Sequence, residues 1–289
     1  MMARLHRGEI HNPLQSFIAC YDLPMTASAL ITMMTRAARN ASKSILRDFG
    51  EVDKLQISKK GTANFVTSAD LRAEQKIIEE LRKARPAFGY LTEETGVIDG
   101  KDANTRFVID PIDGTTNFIY AIPYICTAIA CEKRNDRGVW EPVASVIYDP
   151  IHDELFHAEK GQGAFLNNYR IKVSDRTQDR LVSTAPPRKW KDGYAATMRA
   201  LERVTSDDST AVRCGGAAAL DLAYVAAGRM DGMWYHALQW WDMSAGILLV
   251  KEAGGIVTTL DGNAPSEEVS HIVAASAAMH ETLLACVRE

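Results

Sequence analysis

Arg106-Phe107-Val108-Ile109-Asp110-Pro111-Ile112-Asp113-Gly114-Thr115-Thr116-Asn117-Phe118 is the stretch whose reading decides the fold. Phe107 to Ile109 is a short apolar run of the kind that forms a buried strand. Proline at 111 has no N–H to give to a ladder, so the chain is expected to leave the sheet at Asp110-Pro111. Asp110 and Asp113 then flank a turn that closes on Gly114, and Thr115, Thr116 and Asn117 are side chains suited to opening a helix. Free amides at a helix start beside a glycine suit a phosphate. Two acids three residues apart at a strand end suit a hard cation with oxygen ligands. An ordinary Asp-Gly turn between strand and helix uses the same residue types, so these residues leave both readings open.

Working outward, Phe88 to Leu91 reads as a strand that delivers Glu93 and Glu94 at its end. Adjacent strand residues point to opposite faces, so only one of the two acids can share a site with Asp110. Upstream, apolar residues at Leu30, Met33, Met34, Ala37, Ala41, Ile45 and Leu46 recur in three- and four-residue steps, which predicts an amphipathic helix from Thr26 to Phe49 ending at Gly50. Leu55 to Ser58 is expected as a strand and Lys59 to Thr67 as a flexible polar loop. Thr67-Ser68-Ala69-Asp70 has a capping-box pattern, predicting a helix from about Ser68 to Arg85. Asp70 then either caps its own helix or serves the chemistry.

Downstream, Ile125 to Cys131, Val143 to Tyr148, Glu154 to His157 and Gly163 to Leu166 read as successive strands of an antiparallel meander. A second pattern begins at Leu181 to Ala185, with a strand at Ala211 to Arg213. It continues through a tight turn at Cys214-Gly215-Gly216 into a small-residue helix from Ala217 to Ala227, then a strand from Asp231 to Tyr235. Asp242 is placed at the N-cap of a helix running to Ala253, and strands at Ile256 to Leu260 and His271 to Ala275 precede a C-terminal helix. Residues 1–24 lack this periodicity and are expected to be a mobile extension, with one catalytic unit over 25–289 divided near residue 180.

The chain has 289 residues, 46% hydrophobic and 24% charged, the balance of an ordinary globular protein with a sizeable core. A net charge of −4 gives no electrostatic reason for nucleic-acid binding. No apolar run is long enough to span a membrane. Five scattered cysteines without CxxC spacing argue against a disulfide framework or a zinc site and fit a reducing cytoplasm. None has a plausible base partner, so no covalent nucleophile is nominated.

Asp110 to Phe118 resembles the DPxDGTxNF signature of the inositol monophosphatase family, magnesium-dependent and lithium-sensitive phosphomonoesterases. Leu91-Thr92-Glu93-Glu94 resembles the family's paired-glutamate element. Trp241-Asp242-Met243-Ser244-Ala245-Gly246 through Lys251-Glu252-Ala253-Gly254-Gly255 resembles its WDxxAG…EAGG element. The resemblance, from about Met25 onward, implies a layered α-β-α-β-α sandwich of the α/β (α+β) class with largely antiparallel sheets. It also implies two or three magnesium ions, manganese being possible, held by Glu93, Asp110, Asp113, Asp242 and the Ile112 carbonyl. Glu93 and Thr115 would position and activate a water for direct attack on phosphorus, with Asp70 in the same network. Gly114 and Thr115 amides would bind phosphate, with Asp113, Asp242 and the Gly215-Gly216-Ala217 turn toward the alcohol.

Two positions depart from the family pattern. Asn64 stands where the loop aspartate belongs, and Tyr235 where a substrate-contacting glutamate belongs. A phenol lacks a carboxylate's two acceptor oxygens. The implied substrate is myo-inositol monophosphate, with histidinol phosphate, fructose 1,6-bisphosphate and a nucleotide 3′-phosphate as alternatives. A homodimer and, as in some bacterial relatives, a partnership with the transcription machinery are implied as well.

Overall fold

The computed structural model describes residues 27–55, 59–185, 193–206 and 209–288, with side chains from 52 to 67 excepted. The expected extension over 1–24 and the side chain of Asn64 therefore lie outside the described residues. Two long helices come first, α1 (Ala29–Leu55) and α2 (Lys59–Ala84). Next are β1 (Phe88–Thr92), β2 (Gly96–Ile98), β3 (Asp102–Asp113) and the short α3 (Thr115–Ile119). A meander follows: β4 (Cys126–Arg134), β5 (Trp140–Asp149), β6 (Glu154–Glu159), β7 (Gly163–Leu166) and β8 (Tyr169–Ile171). The C-terminal part runs β9 (Arg180–Ser183), α4 (Tyr194–Thr205), β10 (Thr210–Arg213), α5 (Ala218–Ala226), β11 (Gly232–Tyr235) and α6 (Trp240–Glu252). It closes with β12 (Ile256–Thr258), β13 (Ile272–Ala275) and α7 (His280–Val287).

Strand alternation sets the layers. One sheet has the order β2-β1-β3-β4-β5-β6-β7-β8 and the other β10-β9-β11-β13-β12. Phe107, Ile109 and Ile112 of β3 pack with Met34, Ala37, Ile77 and Leu81 of α1 and α2. Val108 joins a second core with α5 and α6. In the smaller sheet Met233 and Tyr235 face that same helix pair, whereas Trp234 faces Ala200, Val204 and Leu283 of α4 and α7. The result is five layers, helix–sheet–helix–sheet–helix, as the resemblance implies. Burying one side chain the size of Trp234 or Phe107 stabilises the fold by about 1.5–3 kcal/mol relative to exposure. Among the described residues no helix is long and apolar enough to cross a membrane.

Three local expectations are corrected. Gly50 does not end α1, which continues to Leu55, so Leu55 is helical rather than the start of a strand, and 56–58 lie outside the described residues. The backbone of Lys59 to Thr67 belongs to α2 and is not a loop, which makes Thr67 to Asp70 helix interior rather than a helix start. A helix interior glycine costs only about 1 kcal/mol, which docking of the remaining turns easily offsets. Pro111 stays in the sheet: β3 runs through to Asp113. The large sheet is largely antiparallel as expected, with β1 and β3 its one parallel pair among the described residues.

Candidate active site

That parallel pair places the C-terminal ends of β1 and β3 at one edge, and the acids follow from its register. Leu91 pairs with Val108 and Thr92 with Ile109, and the Glu93 amide donates to the Ile109 carbonyl at 3.2 Å. Leu91 and Val108 face the α5/α6 core. Two residues on, by strand alternation, Glu93 and Asp110 face the same way on neighbouring strands. Glu94 takes the opposite side, where its amide and the Thr95 hydroxyl donate to Glu74 of α2 at 2.9 and 2.5 Å.

Pro111 solves a geometric problem. Residues three apart on a regular strand point to opposite faces. Here Asp110 pairs with Ala128 and Asp113 with Cys126, so β3 carries one residue more than β4 over this interval. The bulge absorbs the residue that cannot donate to the ladder and brings both aspartates to the α5/α6 side. Ala128 and Cys126 both belong to that core, while Ile109 and Ile112 share the opposite one. The bulge is fastened by the Thr127 hydroxyl, which donates to the Pro111 carbonyl at 2.8 Å.

Asp113 then reaches the start of α5. Amides of Ala218 and Ala219 donate to its carboxylate at 3.2 and 2.7 Å, and the Cys126 thiol lies 3.6 Å away. Gly114 sits at φ 91°, where a Cβ would stand 3.0 Å from the Tyr124 carbonyl and 3.2 Å from the Ala217 side chain. Gly114→Ala is therefore expected to lower stability by about 1–3 kcal/mol and to reduce turnover; an unchanged melting temperature would show that the turn relaxes freely. The Thr115 hydroxyl donates to the Ile112 carbonyl at 3.4 Å.

Asn117, read from sequence only as a helix opener, donates to the carbonyls of Tyr124 and Gly215 at 2.7 and 2.9 Å. It thereby ties the signature to the Gly215-Gly216-Ala217 turn, in which Gly216 has φ 83°.

Asp242 comes from α6, with one further correction. The N-cap is Gln239, and Asp242 is the third helical residue, accepting the Gln239 amide at 2.7 Å in a capping box. Asp242, Glu93, Asp110 and Asp113 lie close enough to act on one another. Burial, then Glu93, Asp113 and Asp242, holds the Asp110 carboxyl well above the usual range. Glu93 and Asp113 are raised by burial first and by Asp242 second. Asp70 of α2 approaches from the other side and is pushed up to about 8 by burial and by Glu93, Glu94 and Glu74.

Burial and the mutual repulsion of Asp110 and Glu93 both favour the protonated carboxyl at this edge. The Oδ1 atoms of Asp110 and Asp70 are buried without a hydrogen-bond partner. Among the described residues no three acids close into a ready-made cage, so the cluster is loose. Its donor set nevertheless fits a hard divalent cation: oxygen only, mutually repelling, with a buried acceptor unpaired.

Tyr235 is buried, and its hydroxyl donates to Asp221 of α5 at 2.6 Å. Ser183 and Tyr124 hydroxyls donate to the same carboxylate at 2.6 and 2.5 Å. With its proton committed, the Tyr235 hydroxyl retains only acceptor capacity for a ligand. Sequence reading missed Asp221 entirely; an acid inside a small-residue helix was the only available signal.

Residues 27–289 match the model of the inositol monophosphatase family. The inositol-1-monophosphatase of Mesorhizobium japonicum is 43% identical, over 92% of this chain and 98% of its own. Nus factor SuhB of Escherichia coli strain K12 is 40% identical, over 90% and 96% respectively. Among solved structures, the extragenic suppressor protein SuhB of Bartonella henselae superposes with a TM-score of 0.81 at 45% identity, covering 91% of this chain and 99% of that one. With the layered fold, the acids at one sheet edge and a family match across the whole described region, the chain belongs to the inositol monophosphatase family.

Proposed function

We propose that this chain hydrolyses a small phosphate monoester in a divalent-cation-dependent reaction, with myo-inositol monophosphate as the principal substrate. The observation that carries the reading is Glu93 beside Asp110 on parallel strands, with Asp113 and Asp242 adjoining and the Asp110 Oδ1 buried and unpaired. Glu93, Asp110, Asp113, Asp242 and the Ile112 carbonyl would hold magnesium, in two or three ions, or manganese. Bound there, the cation supplies charge neutralisation at phosphorus and a lowered pKa for water.

The protein's own groups do the rest. Glu93 and the Thr115 hydroxyl orient the attacking water, a carboxylate oxygen takes its proton, and Asp70 joins that network. Gly114 and Thr115 amides bind the phosphoryl oxygens. Asp113, Asp242, Gly215, Gly216, Ala217 and Tyr235 line the side that receives the alcohol.

Phosphate release from inositol 1-phosphate, histidinol phosphate, fructose 1,6-bisphosphate and a nucleoside 3′-phosphate tests the reading, with magnesium, with chelator and with lithium. The highest kcat/KM is expected for inositol 1-phosphate, abolished by chelator and inhibited by lithium. No magnesium-dependent release from any ester would overturn it. Tyr235→Phe is expected to raise KM for inositol 1-phosphate about 2–10-fold with little change in kcat, the effect of one neutral hydrogen bond lost from binding. Unchanged KM would remove Tyr235 from the substrate wall.

The likeness to Nus factor SuhB supports a second reading, a regulatory protein partnership alongside hydrolysis. Homodimerisation and a cytoplasmic setting are proposed on the family resemblance and on the free thiols of Cys126, Cys131, Cys214 and Cys286.

A further inference from the structure

A second charged cluster lies on the large sheet, away from the bulge. Arg106 of β3 and Glu132 of β4 are directly paired across the strands. Glu132 is fully buried. Its Oε2 accepts the Arg106 Nε at 2.8 Å, and its Oε1 accepts both the Trp240 indole N–H and the Ser244 hydroxyl at 2.6 Å. Arg106 continues outward to the half-exposed Glu267, its Nη2 donating at 2.7 Å, and lies over the Trp140 ring at 4.3 Å.

Stability alone is a poor explanation for this arrangement. A buried ion pair costs so much desolvation that well-packed apolar residues of similar volume often do as well or better. What the arrangement supplies is direction. The first two turns of α6 bury Trp240, Met243 and Ile247 together with the small groups Ser244, Ala245 and Gly246, and Gly246 lies tight against Leu222. The small residues at the Leu222 contact add few knobs to fix the rotation of the helix. Trp240 and Ser244 are four apart, on one face of the helix, and both end on the same carboxylate oxygen. Between them, pointing to the other face, is Asp242. Any rotation of α6 about its axis would move Asp242 relative to the strand ends, and both donors to Glu132 oppose that rotation. Glu132 is anchored in turn to Arg106, four residues before Asp110 on the same strand.

We propose that Glu132, held by Arg106 and Glu267, is a positioning residue that fixes the rotation of α6 and so the place of Asp242 beside Asp110. This rests on the cation site proposed above, so its test reads cation binding as well as turnover. Manganese binding is measured by titration calorimetry on wild type, Glu132→Gln, Ser244→Ala and Glu267→Gln, each with its melting temperature. Hydrolysis of inositol 1-phosphate is followed against magnesium concentration.

Glu132→Gln is expected to weaken manganese binding at least fivefold and to raise the magnesium concentration for half-activation by a similar factor, with KM for the ester within twofold. Ser244→Ala and Glu267→Gln are expected to show the same shift at two- to threefold. A merely structural role would lower the melting temperature and leave the cation affinity of the folded protein unchanged. That result in Glu132→Gln overturns the proposal; should Glu132→Gln fail to fold, wild-type affinity in both Ser244→Ala and Glu267→Gln overturns it. A wild type that binds manganese but hydrolyses no ester would refute the phosphatase reading while the calorimetric comparison still decides this one. A wild type that binds no manganese refutes both.

Discussion

Asp110→Asn is expected to reduce turnover about a thousandfold or more and, in cation-free buffer, to raise the melting temperature. The two effects have one cause. Asp110 is buried, its Oδ1 has no partner, and Glu93, Asp113 and Asp242 all add to the cost of ionising it. A cation would make that unpaired acceptor useful; without one it is a liability. Asparagine keeps the shape, removes one of the four acidic groups and presents an N–H₂ group to Glu93. A gain of about 1–2 kcal/mol is reasonable for relieving such strain at a functional site. At about 2–4 °C per kcal/mol, that is a rise of a few degrees.

With saturating magnesium the order should reverse, because wild type then gains binding free energy that the variant lacks. Thermal unfolding of both proteins with magnesium and with chelator checks this, alongside kcat at saturating cation. Near-normal kcat, or the same stability order in both buffers, would remove Asp110 from the cation site.

Asp221→Ala is expected to be among the most destabilising single changes in the C-terminal half. Three hydroxyls, from Ser183, Tyr124 and Tyr235, donate to one buried carboxylate at 2.5–2.6 Å. They come from β9, the segment before β4 and β11, so the carboxylate joins both sheets to α5. Removing it strands several buried donors and opens a cavity, a loss of about 3–5 kcal/mol. The melting temperature should fall by about 10 °C. Asp221→Asn keeps one acceptor oxygen, and hydroxyls can rotate to accept from its amide, so roughly 1–2 kcal/mol is expected there. A fall of less than about 2 °C for Asp221→Ala would show the network to be energetically idle.

What was legible in sequence had either a long period or a dense local pattern. The α1 stripe, the β4 to β7 meander and the acids of the signature are of this kind. Strand alternation allowed only one of Glu93 and Glu94 into the site, and the family resemblance pointed to Glu93. Three other features were hidden for identifiable reasons. Gly61, Thr62, Asn64 and Thr67 are weak helix formers, so Lys59 to Thr67 reads as a loop although its backbone is helical. The buried residues of α4 are Thr197, Ala200 and Val204, too small and too few to announce a helix. Asp221 and Glu132 look like ordinary charges because the groups they bind lie far away in the chain, up to 97 residues for Asp221 and 112 for Glu132. Pair contacts of that separation leave no periodicity to read.

The extra residue at Pro111 makes chain length between the two aspartates a determinant of function in its own right. Among small genetic changes, an apolar substitution of similar size at Ile112 would leave both carboxylates on the α5/α6 side. Losing one codon between Asp110 and Asp113 would preserve both aspartates and the strand, yet turn one of them through half a revolution into the apolar layer beneath α1 and α2. The spacing is thus closed to changes of length, and an insertion or deletion here is one route by which a descendant of this chain would lose its chemistry while keeping its fold.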